Sequence, residues 1–119
     1  MHEFSIVSAL LDLVAENARL HNAAKVTGIT VKIGVMSGVE PDLFAEAFHT
    51  CKRGTVAEQA ELNLVRQDIA ISCSCGYSGS IEGLSFRCPE CGKSDIQVTD
   101  GEEMILLRLE MDAADSRSS

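Results

Sequence analysis

Four of the five cysteines stand as two close pairs, Cys73 with Cys75 in CSCG and Cys88 with Cys91 in CPECG. Four thiolates in two pairs suit a tetrahedral zinc ion, which is redox-inert and binds sulfur well. Four protein ligands leave no open position for water or substrate, so such an ion is a structural staple and not a catalyst. The second pair has the spacing of a zinc knuckle, with Pro89 stiffening the turn and Gly92 permitting the chain to reverse. The first pair has one intervening residue where a ribbon normally has two, and Ser72 stands where the more distant cysteine would be. A shorter chelate loop still lets both sulfurs reach one ion. Redox cycling of Cys73 and Cys75 between dithiol and disulfide is the competing chemistry for this pair.

The start MHE is the second chemically suggestive stretch. Chain ends are usually frayed. A histidine at position 2, however, lets the Met1 amine, the His2 backbone nitrogen and the His2 imidazole close adjacent chelate rings around one ion. Nitrogen-rich planar coordination suits Ni(II) or Cu(II) better than zinc. Glu3, through its backbone or its carboxylate, can take a further position. The amine and the imidazole must both lose protons to bind, so acid should release the metal. His21 and His49 have no cysteine or histidine at ligand spacing and read as surface or helix-end residues. Cys51 lies at helical spacing from Phe44 and Phe48 and reads as a small buried hydrophobe.

These groups need elements to hold them. From Phe4 the apolar residues Phe4, Val7, Leu11, Val14 and Ala18 mark one face of a helix, widened by Leu10 and Leu13. The helix runs out through AENARLHNAAK into a turn. GITVKIGVMSG alternates Ile29, Val31, Ile33 and Val35 against small or polar residues, the period of a half-buried strand. Pro41 suits the first position of a second helix, with Glu40 and Asp42 at the positive end of its dipole. That helix should run from Pro41 to Lys52 and bury Leu43, Phe44, Ala47, Phe48 and Cys51, with Gly54 as its left-handed cap. ELNLVRQ reads as a second strand, and EMILLRLEM as a third with Ile105, Leu107, Leu109 and Met111 on one face. The polar tail lacks any periodicity.

The expected fold is therefore α/β (α+β): a small mixed three-stranded sheet packed with two helices, interrupted by an inserted four-cysteine, zinc-ribbon-like module. Residues 1–68 with 101–112 would form the first domain, 69–100 the cysteine module, and 113–119 a disordered tail.

The chain has 119 residues, 45% of them hydrophobic, with 10 Lys and Arg against 18 Asp and Glu, a net charge of −8. Such a surface repels phosphate backbones, which argues against a nucleic-acid partner. The first residues carry no basic n-region, and no apolar run approaches the roughly 20 residues of a membrane span. A soluble protein of a reducing, cytoplasmic compartment is expected, in which clustered cysteines bind metal more often than they pair as disulfides.

The start MHEFSIV, the stretch KIGVMSGVEPDLFAEAF, the run RGTVAEQAEL and the paired-cysteine module ending CPECG together resemble the HypA/HybF family of hydrogenase maturation proteins. The resemblance runs from Met1 to about Met111. It implies a small nickel metallochaperone, not an enzyme, that delivers Ni(II) during assembly of nickel-iron hydrogenase. The implied partners are the hydrogenase large subunit and a maturation GTPase, with monomeric and homodimeric forms both compatible. It places nickel on the N-terminal segment, here the amine of Met1, His2 and Glu3, with Glu40 matching an acidic position near that end. It places a structural Zn(II) on Cys73, Cys75, Cys88 and Cys91. The family commonly spaces its first cysteine pair by two residues, so this chain departs from the pattern at Cys73.

Two other functions compete. A zinc-ribbon adaptor or nucleic-acid-binding module explains the cysteines but requires a basic stripe and aromatic platforms, which this chain lacks. A thiol-redox enzyme requires a reversible Cys73–Cys75 disulfide.

Overall fold

The computed structural model describes residues 2–113, with His2 placed by its backbone. The elements run α1 (His2–Leu20), β1 (Ala23–Gly34), α2 (Pro41–Cys51), β2 (Glu61–Gln67), β3 (Ala70–Cys73), β4 (Ser78–Ser80), β5 (Ile96–Asp100) and β6 (Met104–Ala113). The strands form two three-stranded sheets, β2-β1-β6 and β4-β3-β5. The chain groups into two compact units, one built from 2–31, 40–64 and 106–113, the other from Lys32–Val39 and Val65–Ile105.

In the first unit, α1 buries Val7, Leu10, Leu11, Val14 and Ala18. Phe4 and Leu13, expected on that face, are 46% and 48% exposed. At 100° per residue Leu13 lies about 60° outside the buried stripe. In the first turn it is Glu3, at 7% exposure, that points inward instead of Phe4. The helix also begins at His2, earlier than the pattern suggested, and ends at Leu20. Asn22 then takes a left-handed φ of 53° and reverses the chain, so the AAK expected in the helix exit belongs to β1.

Along β1 the residues Ile29, Val31 and Ile33 are buried as the alternation requires, whereas Val35 lies past the strand end and is exposed. Two backbone bonds, Val26 N–H to Val56 and Val35 N–H to Gln67, advance along both segments in the same sense. By contrast, Gly34 N–H donates to Glu103 and the Thr27 hydroxyl to the Glu110 carbonyl, so β6 runs opposite to β1. The sheet is thus mixed. Along β6 the partly buried residues are Met104, Leu106, Leu109 and Met111, while Ile105 and Leu107 are exposed. The single face expected for Ile105, Leu107, Leu109 and Met111 is broken by a change of phase between Leu106 and Leu109. Asp112 and Ala113, the latter assigned above to the tail, are in β6, and 114–119 lie outside the described residues.

Pro41 opens α2 with its fixed φ, and the Glu40 side chain caps it by accepting the Leu43 N–H at 3.0 Å. The buried stripe is Phe44, Ala47 and Phe48. Leu43 is 49% exposed and Cys51 only half-buried, so both fall outside the core expected for them. The helix stops at Cys51, where the Lys52 N–H still reaches the Phe48 carbonyl, and Gly54 takes φ 78°.

The second unit carries strands not among those expected from the sequence. β3 pairs antiparallel with β4 (Ile71 opposite Gly79) and with β5 (Cys73 opposite Ile96). Its core is Ile69, Ile71, Ile81, Cys73 and Cys88, backed by Tyr77, Phe86, Ile96 and Val98. One close backbone junction ties this unit together. Gly34 meets the Gly101 backbone so tightly that a Cβ would collide with it, and the Met36 N–H donates to the Gly101 carbonyl at 2.8 Å. Gly101 has φ +101°, and a Cβ there would stand 2.9 Å from the Asp68 carbonyl oxygen and the Ile69 Cα. Beside the junction Lys32 Nζ lies 2.8 Å from Asp100. Its hydrogen bond, with help from the Gly101 N–H, holds the Asp100 carboxyl below the usual range. Gly101→Ala combines an unfavourable φ with overpacking and should cost about 1–3 kcal/mol. A urea titration checks this, and an unchanged midpoint would show that the junction yields.

Candidate metal centre

The first cysteine pair sits on the turn between β3 and β4. The Cys73 N–H donates to the Tyr77 carbonyl and the Gly76 N–H to the Cys73 carbonyl, both at 2.9 Å, and Gly76 takes φ +102°. This is a hairpin turn followed by a glycine in a conformation other residues avoid. Cys73 ends the strand and Cys75 lies inside the turn, so a single intervening residue carries the chain from one sulfur to the other.

The second pair is a knuckle supported by its own amides. The Glu90 and Cys91 N–H groups point at the Cys88 sulfur at 3.3 and 3.5 Å. The Gly92 N–H donates to the Cys88 carbonyl at 2.8 Å, with Gly92 at φ +76°. The Cys88 N–H bonds the Lys93 carbonyl, and Arg87 Nη1 donates to the Gly92 carbonyl at 3.2 Å.

All four sulfurs lie within 4.8 Å of one another, with Cys73–Cys91 and Cys75–Cys88 each at 3.6 Å. A tetrahedron with metal–sulfur bonds of about 2.3 Å has edges of about 3.8 Å, so the cluster already approximates a four-thiolate site. The unusual spacing at Cys73 therefore still leaves all four sulfurs within one cluster. Cys73 and Cys88 are buried, and Cys75 and Cys91 are exposed.

Without a cation, four crowded thiols cannot all ionise. Burial opposes ionisation of Cys88, but the Cys91 and Glu90 N–H groups and the adjacent sulfurs lower its thiol to about 7. The Tyr77 N–H acts in the same direction on Cys75, yet desolvation and the sulfurs of Cys73, Cys88 and Cys91 outweigh it and push that thiol up to about 12. A divalent cation removes the mutual penalty. The chain has 3 histidines, at positions 2, 21 and 49, so the module offers thiolate as its only soft ligand.

At the other candidate site, Met1 and the His2 side chain lie outside the described residues. Glu3 is buried, and its carboxylate accepts the Glu40 N–H at 3.3 Å. Glu40 is exposed and caps α2. The two acidic residues proposed from sequence are thus brought together by one hydrogen bond. His21 is elsewhere, its Nδ1 2.9 Å from the Asn17 carbonyl, and His49 packs edge-on against Phe48. Sequence reasoning missed Ser74, whose hydroxyl donates to Asp95 at 2.8 Å beside the sulfur cluster. Its position between two ligands was the available signal.

A family model described as "Hydrogenase/urease nickel incorporation, metallochaperone, hypA" matches residues 1–111. The hydrogenase maturation factor HypA of Aquifex aeolicus is 48% identical over 113 residues, covering 94% of this chain and 98% of its own. The factor of the same name from Shewanella oneidensis is 42% identical over 116 residues, 97% of this chain and 98% of its own. The solution structure of the Ni metallochaperone HypA from Helicobacter pylori aligns with TM-score 0.70 at 33% identity, covering 94% of this chain and 98% of that one.

Proposed function

We propose, from the premise that this chain belongs to the HypA family of hydrogenase/urease nickel-incorporation metallochaperones, that it binds Ni(II) at its first residues and hands the ion on during maturation of nickel-iron hydrogenase. The family is one of metallochaperones, not enzymes. The observation that carries the reading is that the family match begins at Met1 and takes in both the MHE start and the four-sulfur cluster. In this reading the Met1 amine, the His2 backbone nitrogen and the His2 imidazole hold nickel. Glu3 supplies the next position, and Glu40 is the neighbouring carboxylate.

The start of α1 suits such a site. First-turn amides have no partner within an α-helix, so the His2 nitrogen could release its proton to solvent and bind the metal without breaking the helical ladder. The positive end of the helix disfavours a cation by about 0.3–1 kcal/mol. The charge lost with the amide proton and the nearby carboxylates offset that penalty, and the balance favours a cargo that can be given up.

Cys73, Cys75, Cys88 and Cys91 would hold Zn(II), which supplies cross-linking and no reaction step. The proposed division of labour is that residues 1–68 with 101–112 serve nickel and 69–100 serve zinc, with Lys32–Val39, 65–68 and 101–105 grouping structurally with the cysteine-bearing unit. Partners are the hydrogenase large subunit and a maturation GTPase, in the cytoplasm. Among the described residues no helix is long and apolar enough to cross a membrane.

Transfer is the test. Nickel-loaded protein mixed with the nickel-free hydrogenase large subunit precursor should load it faster than the same total concentration of free Ni(II) in the presence of a competing chelator. Equal loading rates would sink the delivery role.

A further inference from the structure

The two halves of the sulfur cluster are not held alike. The knuckle at Cys88 and Cys91 is supported from within, by two amides on one sulfur. The turn at Cys73–Cys75 spends its Cys73 and Gly76 amides on closing the hairpin, which leaves the Tyr77 N–H for the Cys75 sulfur. A single residue separates its two cysteines. What stands in that place is the Ser74 side chain, whose hydroxyl donates to Asp95 Oδ2 at 2.8 Å. Asp95 lies just beyond the knuckle and immediately before Ile96, the residue paired with Cys73 across β3 and β5. The bond therefore joins the segment carrying one ligand pair to the segment leaving the other.

We infer that Ser74 and Asp95 are a positioning pair that brings the two cysteine turns into register before the metal arrives, compensating for the missing residue between Cys73 and Cys75. The inference rests on the assignment of zinc to the four cysteines. A hydrogen bond to a carboxylate that orders both turns before binding is worth enough to change metal affinity about 10-fold. Neither residue touches the metal. Their effect is to keep Cys73 and Cys75 turned toward Cys88 and Cys91, so that fewer conformations must be given up on binding.

The experiment follows metal release from the full chain. Zinc-loaded wild-type protein and the variants Ser74→Ala, Ser74→Thr, Asp95→Ala and Asp95→Asn are challenged with a chromogenic chelator. Cobalt(II)-substituted samples report the number of sulfur ligands through their absorption. Ser74→Ala and Asp95→Ala should each release zinc about 10-fold faster or more, keeping one ion per chain and the cobalt spectrum of four thiolate ligands. The double alanine variant should be no faster than either single one, because both remove the same bond. Ser74→Thr and Asp95→Asn keep a hydroxyl donor and an oxygen acceptor and should restore slow release. Release within about twofold of wild type in both alanine variants, or additive effects in the double variant, would overturn the pair. A wild-type chain that binds no zinc would instead overturn the zinc assignment.

Discussion

Nickel binding should fall by at least about 100-fold, or roughly 2.7 kcal/mol, both in His2→Ala and in a chain carrying one extra glycine before Met1. The two changes act by different routes. His2→Ala deletes the imidazole, while the extra glycine keeps every side chain and moves the amine out of the chelate. Calorimetric titration of Ni(II) into protein with a native amino terminus gives the reference, and zinc content should stay the same in all three. Equal nickel affinity in all three would rule out the terminal site. The pH dependence has a definite sign. An amine near about 7.7–8.0 and an imidazole near about 6.5 must both be deprotonated, so affinity should fall as the solution is acidified through those values. Fluorescent indicator competition at several pH values reads the trend directly.

The second large effect is expected at Cys88. Its sulfur is buried, lies 3.6 Å from that of Cys75, and accepts two amide hydrogen bonds. Cys88→Ser should abolish stoichiometric zinc binding and with it the ordered β4-β3-β5 sheet. Structural zinc supplies about 10–16 kcal/mol of apparent binding free energy in small domains. The module's own core of Ile69, Ile71 and Ile81 with a few half-buried neighbours is too small to replace that. Amide NMR spectra should therefore collapse for residues 69–100 while signals from α1 and α2 remain dispersed. A dispersed module spectrum in metal-free Cys88→Ser protein would show that the sheet stands without the ion.

What could be read from sequence was whatever a period and a cap determine. Val7, Leu11, Val14 and Ala18 fall in the core as their spacing requires, and ELNLVRQ coincides with β2. Pro41 opens α2 where its fixed φ is useful. Phe4 and Leu43 were misplaced because periodicity cannot tell how wide the covered stripe is. The β6 face failed because MILLRL is apolar at both parities, so alternation carries no phase. In the module, β4 was illegible for the opposite reason, whereas β5 was legible, since Ile96 and Val98 alternate with Gln97 and Thr99. Ser78–Ser80 offers almost no side chain to alternate, and its pairing is determined by Ile71 and the turn at Gly76. At the sulfur cluster the four cysteines and their pairing were plain in the sequence. The Ser74–Asp95 bond was not, because it joins residues 21 apart along the chain.

In the strand order β2-β1-β6 the last edge strand comes from the far end of the chain. Translation runs from the amino end, and chain segments fold as they emerge. The cysteine module, complete once β5 has emerged, can take up its ion while synthesis continues. The sheet of the first unit lacks one edge until β6, the last element among the described residues, is made. The end proposed to carry nickel is synthesised first, yet the sheet of its unit gains its last strand only when β6 is made.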